Sequence, residues 1–222
     1  MPYSYQYPHP AVTTDIVVFT IRESQLKLLL IKRKTTPFKG KWALPGGFVA
    51  IDEDIAECAK RELAEETGVS GVYLEQLYTF GKPKRDPRER VISIAYFALI
   101  PSDRIELKAA TDAEAAEWFA LQEIPDLAFD HKDIVRKAKK RLVAKLDYST
   151  IAFQFMPPSF TLSELQKVYE IILQEDLDKR NFRKWVLAME NIEETGEERR
   201  DGAHRPARLY RIKNPEIVEF IK

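Results

Sequence analysis

Residues 47–69 read GFVAIDEDIAECAKRELAEETGV, and no other stretch limits the structure and chemistry of this chain so sharply. On a helix, positions three and four apart share a face, so Glu62, Glu65 and Glu66 project together within about 100° of arc. Three carboxylates this close repel one another unless a cation neutralises them. Hard oxygen donors in number suit Mg²⁺ or Mn²⁺. Leu63 and Ala56 lie to one side of the stripe, where they can hold the helix against a sheet. Upstream, Gly46-Gly47 is a backbone-permissive turn. Asp52 is the expected N-cap, with Glu53 and Asp54 in the first turn. The helix is expected to run to about Thr67, where Gly68 stops it.

The stretch matches G-x5-E-x7-R-E-U-x-E-E-x-G-U, with U apolar, at every position, and so resembles the Nudix box. The fixed identities are Gly47, Glu53, Arg61, Glu62, Glu65, Glu66 and Gly68. At a usage of roughly one in fifteen per residue type, a chance match is on the order of one in 10^8 per start position. An acidic helix whose glutamates merely paired with Lys60 or Arg61 would have no need of the flanking glycines and Glu53. The resemblance implies that Glu62, Glu65 and Glu66 ligate divalent metals, with the Gly47 carbonyl as a further ligand. It implies that Arg61 holds the glutamates by charge-assisted hydrogen bonds and that Glu53 supports the helix. The implied reaction is attack of water on a phosphorus of a nucleoside diphosphate linked to another group, with metal-stabilised charge. Glu114 and Glu117 are candidates for the general base. Binding without turnover stays open, because a motif does not guarantee activity.

Apolar and β-branched runs surround the box. Residues 13–35 read as a hairpin, Trp42-Ala43 as a short strand, and residues 72–80, 91–100 and 116–120 as further strands. Residues 131–146 read as a strongly basic helix. Arg88 and Arg90, in the polar loop 81–90, are positioned to clamp phosphates, unless that loop is simply solvated. Trp42 is expected in the core rather than under a base, Cys58 as a packing residue, and His131 as a surface or capping residue.

Lys plus Arg equals Asp plus Glu, at 35 each, so net charge says nothing about an anionic partner. A single cysteine allows neither an internal disulfide nor a cysteine zinc site, which fits a reducing compartment. The start, MPYSYQYPHP, lacks a basic region followed by an apolar one, and the longest apolar runs are too short to span a bilayer. A soluble, cytoplasmic protein with no membrane partner is expected.

The texture changes near residue 148. Residues 149–155 look strand-like and end at Pro157-Pro158. Residues 160–173 then show helical periodicity, with Leu165, Val168, Tyr169 and Ile172 as the apolar stripe. After a short turn, Asp178 can cap a second helix, expected over 179–190. Phe182, Val186 and Met189 lie on one of its faces, and Lys179, Arg180, Arg183 and Lys184 largely on another. Residues 192–196 and 207–212 read as two strands joined by a charged tip. Helix, turn, basic helix and hairpin resemble a winged helix-turn-helix. That fold lays its second helix in the DNA major groove and its wing on the backbone. Lys179, Arg180, Arg183 and Lys184 are the expected recognition residues, with Arg199, Arg200 and Arg205 on the wing. Acidic residues crowd the wing as well, so a dimerisation or lid module is the competing reading of this domain.

The segments FTLSELQKVYE, DKRNFRK and RPARLY resemble the C-terminal domain of Nudix-related transcriptional regulators. These include the ADP-ribose-responsive regulators of NAD metabolism and related sugar regulators. The expected architecture is an α/β/α Nudix sandwich with a mixed sheet over residues 1–147, followed by a winged helix over 148–222. The expected protein is a homodimer that binds an ADP-ribose-like nucleotide and a double-stranded operator, with Mg²⁺-dependent pyrophosphatase activity retained. Two alternatives remain: a housekeeping hydrolase whose C-terminal domain does not touch DNA, and an inert repressor answering to another effector such as a sugar.

Overall fold

The computed structural model describes residues 6–101, 113–200, 206–215 and 217–221. The chain divides into two compact units. The first is Met1–Phe19 with Leu28–Ala98 and Glu106–Ala138; the second is Thr20–Lys27 with Leu99–Ile105 and Lys139–Lys222.

Six strands form one sheet: β1 (Ala11–Arg22), β2 (Gln25–Arg33), β3 (Trp42–Ala43), β4 (Tyr73–Phe80), β5 (Val91–Ile100) and β6 (Ala113–Ala120). The order is β3-β2-β1-β5-β4, and β6 pairs with β2 off this path. Ile16–Phe19 and Leu28–Leu30 are fully buried in unbroken runs, as expected of strands covered on both faces. Glu23 and Ser24 both take positive φ between β1 and β2, the conformation of a two-residue hairpin turn whose twist matches the strands.

Helix α1 (Ile55–Thr67) buries Cys58, Ala59, Leu63, Glu66 and Thr67, and Gly68 ends it in the left-handed conformation. Ala56 is only half-buried. The helix starts later than the sequence suggests. Asp54, not Asp52, is the N-cap, with its carboxylate on the Ala56 N–H at 2.8 Å. The physical reason lies in Glu53. It remains outside the helix, where its carboxylate receives both the Ala50 N–H and a two-pronged bond from Arg61. Helix α2 (His131–Leu146) follows the sequence reading.

A buried polar cluster joins three distant parts of the first unit. Asp15 on β1 accepts from the Ser93 hydroxyl, from Arg85 Nη2 at 3.2 Å, and lies 3.3 Å from His131 Nε2. The Arg85 side chain, only 4% exposed, also makes two bonds to Asp130 at 3.0 and 2.6 Å. His131 is therefore not a surface or capping residue. It is 4% exposed, and its Nδ1 accepts the Leu44 N–H at 2.9 Å. That acceptor role leaves the ring proton on Nε2, facing Asp15. Burial pushes the Asp15 carboxyl up, but His131, Arg85 and Ser93 outweigh it and hold the group far below the usual carboxylate range.

In the second unit, residues 151–155 form a 3-10 helix rather than the expected strand. Ile151, Ala152, Phe153 and Phe155 are all buried, and a short apolar run suits any buried element, so periodicity could not separate the two. Helix α3 (Leu162–Leu173) opens with a capping box between Thr161 and Glu164, and buries Leu165, Val168, Tyr169 and Ile172. Helix α4 (Lys179–Ala188) is capped by Asp178 and buries Phe182 and Val186. Tyr169, Phe182 and Trp185 form an aromatic cluster between the two helices: Tyr169 meets each of the others edge-on at 5.4 Å, and Phe182 lies tilted to Trp185 at 5.8 Å. Strands β7 (Ile192–Arg199) and β8 (Ala207–Ile212) then pair antiparallel. The first runs three residues past its expected end, across an irregularity at Gly196, whose φ is +82°.

Two substitutions test these supports. Removing one partner of a buried ion pair costs about 3 kcal/mol, so Asp15→Asn lowers stability by about that amount at neutral pH. The native carboxylate is depressed in the fold. Its contribution is present above about pH 4, the unfolded value, and is lost as pH falls through the folded one. Urea titrations of both proteins should therefore converge below about pH 4. Thr161→Ala, which removes the cap of α3, should cost about 1 kcal/mol in the same measurement.

Candidate functional site

The site is built where the glycine turn meets α1. The turn is laid along β1: Ile16 N–H bonds the Pro45 carbonyl at 2.8 Å, and Thr14 N–H bonds the Gly47 carbonyl at 2.9 Å. At Gly46, φ is +151° and an added Cβ would lie 2.0 Å from the Thr14 carbonyl oxygen. At Gly47 an added Cβ would fall 2.2 Å from Glu62 Oε1. The two glycines let backbone and carboxylates approach where no side chain fits. Glu66 Oε2 completes the contact by accepting the Gly46 N–H at 2.8 Å.

Arg61 organises the box. It grips Glu53 with Nε and Nη2 at 2.7 and 2.9 Å, and its Nη1 reaches Glu62 at 2.8 Å and Glu65 at 3.0 Å. These bonds raise the guanidinium above its ordinary range. The same arginine leaves its partners in different states. Its hydrogen bonds bring Glu53 down to about 2. Glu62 is instead raised, because burial outweighs Arg61 and the neighbouring carboxylates add repulsion. Glu66 is buried, while the Glu65 side chain is 58% exposed.

A cavity of about 330 Å³ opens beside the turn, with Gly47, Glu62 and Glu66 in its wall. That volume lies at the lower end of ligand pockets. Arg33, Arg88, Phe48 and Phe129 also line it. Glu65 and Arg90 are not among the lining residues. Arg90 is exposed, and its guanidinium bonds the Val91 carbonyl at 3.3 Å. Arg88 is engaged by Asp86 through Nε at 3.0 Å and Nη2 at 2.7 Å, and sits 5.1 Å from the centre of the Phe48 ring. Among the described residues, no three His, Cys, Asp or Glu side chains already converge to hold a metal. The oxygen chemistry nonetheless fits a hard cation. Glu62 is a carboxylate that burial leaves short of positive charge, and it rests on the Gly47 backbone.

Of the remaining sequence candidates, Glu117 is exposed on β6, and the Glu114 side chain lies outside the described residues. Trp42 meets Phe119 edge-on at 4.8 Å and is not among the cavity residues. Cys58 is fully buried, 3.4 Å from the Thr14 hydroxyl, and burial pushes its thiol up. This is the packing role expected of it. Sequence reading missed Asp15, Arg33, Arg85 and Phe129. Phe129 precedes a helix with no motif around it, and Arg33 ends a strand as one of three consecutive basic residues.

In the second unit, Lys179, Arg180, Arg183 and Lys184 are all exposed on α4. The opposite face of that helix carries buried Phe182 and Val186. Arg200 is exposed, Arg199 is paired with Glu164, and Arg205 lies outside the described residues. Glu194 is neutralised by Arg208 at 2.9 Å and Glu193 by Arg211 at 2.6 Å. Two of the hairpin's acidic residues are thus met by arginines from its own second strand, while Glu197 and Glu198 stay exposed. Among the described residues, no helix is long and apolar enough to cross a membrane.

These features recur in known proteins. Residues 11–138 match the NUDIX domain, and residues 152–212 match the NrtR DNA-binding winged helix domain. An ADPR responsive transcriptional repressor NtrR of Acinetobacter baylyi is 43% identical over 93% of this chain and 83% of its own. An ADP-ribose pyrophosphatase of Methanocaldococcus jannaschii is 46% identical, over 59% of this chain and 73% of its own. The crystal structure of Shewanella oneidensis NrtR complexed with a 27mer DNA superposes with a TM-score of 0.81. It is 37% identical, and 91% of this chain and 93% of that one are covered. The chain belongs to the Nudix family, and within it to the group that carries an NrtR-type winged-helix domain after the Nudix domain.

Proposed function

We propose that this chain is a transcriptional repressor that senses an ADP-ribose-like nucleotide in a Nudix domain over residues 1–147. Its winged helix, over 148–222, binds a double-stranded operator. The observation that carries this reading is the pairing, in one chain, of a carboxylate-walled cavity with a helix whose exposed face holds Lys179, Arg180, Arg183 and Lys184. The repressor relative supports it across 93% of the chain. Homodimerisation follows from the two-fold symmetry of operators read by helix-turn-helix proteins. A cytoplasmic location follows from access to DNA.

On DNA, the α4 cations meet phosphates and base edges in the major groove, and Arg199, Arg200 and Arg205 serve the wing. Glu62 and Glu66 in the cavity wall, with Glu65 on the same helix outside the lining and the Gly47 carbonyl, would hold a divalent cation, Mg²⁺ or Mn²⁺, which would supply positive charge for the diphosphate and acidify water there. Arg61 keeps Glu62 and Glu65 in place through its Nη1 bonds. Arg88 and Arg90 are the sequence-derived phosphate ligands. Of these two, Arg88 lines the cavity.

A second activity is favoured by the complete box and by the pyrophosphatase relative. In this reading water attacks a phosphorus of ADP-ribose, the P–O–P bridge breaks, and AMP and ribose 5-phosphate leave. Hydrolysis then limits the lifetime of the signal.

Two experiments test the halves separately. In gel shifts on the gene's upstream DNA, ADP-ribose should release the protein. Arg180→Ala with Arg183→Ala should weaken DNA binding at least tenfold, with about 1–3 kcal/mol lost per base contact. Unchanged binding at moderate salt would remove α4 from the interface. With Mg²⁺ and ADP-ribose, AMP should appear. Glu65→Gln with Glu66→Gln should slow its release by about 10²-fold or more, since metal stabilisation is worth several kcal/mol. No AMP from wild type at high protein concentration would leave a sensor without turnover.

A further inference from the structure

Helix α2 takes no part in the cavity beyond His131 at its start. The chain as a whole is neutral, with 35 Lys and Arg against 35 Asp and Glu. The helix is not: seven basic side chains lie between Lys132 and Lys145, against one carboxylate, Asp133. Its apolar side is seated in the protein, with Ile134, Val135, Ala138, Leu142 and Leu146 all buried. Helical geometry puts Lys132, Arg136, Lys139 and Lys140 on the other side, within about 100° of arc. Lys132, Arg136 and Lys140 are exposed, and Lys139 is half-buried.

A face kept only for solvation has another composition. Cations three and four positions apart repel one another along a helix, whereas Glu–Lys pairs at the same spacing support it. Helices α1 and α3 use such pairs: Lys60 bonds Glu57 at 2.7 Å, and Lys167 lies 3.7 Å from Glu170. On α2, Lys132, Arg136 and Lys140 repeat like charge at each turn, and Asp133 answers Arg136 alone, at 2.9 Å. Lys132 also opposes the helix dipole from within the first turn. Lys137 is engaged elsewhere, with its ammonium 3.6 Å from the centre of the Tyr78 ring. Among the described residues, Lys132, Lys139 and Lys140 have no carboxylate at ion-pair distance. The four cations of α4 share that property, and α4 lies inside the match to a DNA-binding domain.

The fold thus holds a row of like charges together and leaves their neutralisation to something outside it. Duplex DNA carries one negative charge per about 1.7 Å of its axis. Lys132 to Lys140 rise about 12 Å along the helix, so each of these long side chains can meet its own phosphate. Building on the DNA-binding reading of α4, we propose that the cationic face of α2 is a second DNA-binding surface, which grips the phosphates of double-stranded DNA without reading sequence. Helix α4 then supplies the base contacts, and α2 supplies affinity common to all sequences.

The rivals are a merely solvated face and an anionic membrane surface. Binding of the full chain to the gene's upstream DNA and to a random-sequence duplex of equal length is measured by anisotropy. Binding to phosphatidylserine vesicles is measured by co-sedimentation. Lys132→Ala, Arg136→Ala and Lys140→Ala together should weaken both duplexes by the same factor, at least tenfold at low salt. The slope of log affinity against log salt should fall by about 2 to 3, since each phosphate contact contributes about 0.9. Arg180→Ala with Arg183→Ala should instead cost more on the upstream DNA than on the random duplex. Lys132→Arg, Arg136→Lys and Lys140→Arg together keep the charges and should bind as wild type does. Alanine favours the helix and its introduction removes repulsion, so the thermal midpoint of the alanine variant should hold or rise. A fall in that midpoint would mark the face as structural and overturn the proposal. So would unchanged affinity and slope on both duplexes, a loss confined to the upstream DNA, or vesicle binding that is lost while DNA binding is kept. If the α4 pair weakens neither duplex, the α4 assignment fails, while the random-sequence arm still judges α2.

Discussion

The ion cluster of Arg85 with Asp15 and Asp130 holds the candidate site together. Its members come from β1, from the loop before β5 and from the segment before α2, so local structure cannot assemble it. Arg85 is almost wholly buried, and its bonds tie Asp15 of the cavity wall to Asp130, the neighbour of Phe129. The loop it pins also presents Arg88, and Asp130 lies beside Phe129. An apolar replacement of equal volume need not cost stability, since burying charge is itself expensive. Apolar contacts are non-directional, however, whereas a guanidinium shared by two carboxylates admits few arrangements. The fold thus spends stability on orientation at the place where Arg88 and Phe129 must face the same cavity.

The box uses a second arginine to set up a contrast. Arg61 bonds Glu53, Glu62 and Glu65, yet Glu53 is brought down to about 2 while Glu62 is raised. Glu53 receives both prongs of the guanidinium and the Ala50 N–H. Glu62 receives one bond and lies in the cavity wall, where burial dominates. One carboxylate is satisfied and structural, the other is short of positive charge. A cation entering at Glu62 relieves a cost that the fold already carries. Gly47 is what allows this: any side chain there would occupy the space of the Glu62 carboxylate.

How much of this was legible in the sequence depends on the range of each interaction. The box and both helices of the C-terminal domain follow from spacing within one turn, and the Asp178 cap and Gly68 stop were readable for the same reason. The start of α1 was displaced by two residues because Glu53 is drawn out of the helix by Arg61, eight positions away. His131 and Asp15 stand far apart along the chain, and nothing local marks either as buried. Arg85 sat in a run of charge that reads as solvated, and only its fold-wide partners bury it. The 3-10 turn at Ile151–Phe155 was hidden because four of its five residues are apolar and buried, with Gln154 alone polar, which leaves too short a period to read.

The hairpin shows how pairing redistributes charge that composition leaves ambiguous. By sequence, Glu193 and Glu194 set a negative face against any phosphate. In the fold each is matched across the ladder by an arginine of β8, Glu193 by Arg211 and Glu194 by Arg208. These exposed pairs add little stability, but they offset the charge of Glu193 and Glu194; Glu197 and Glu198 stay exposed. Arg199, counted as a wing cation, is drawn to Glu164, which also closes the cap of α3. A cation already paired within the protein displaces fewer counterions from DNA. On α4, by contrast, four cations have exposed side chains backed by the buried Phe182 and Val186. The seating of that helix is aromatic: Tyr169, Phe182 and Trp185 back the basic face through contacts that carry no charge.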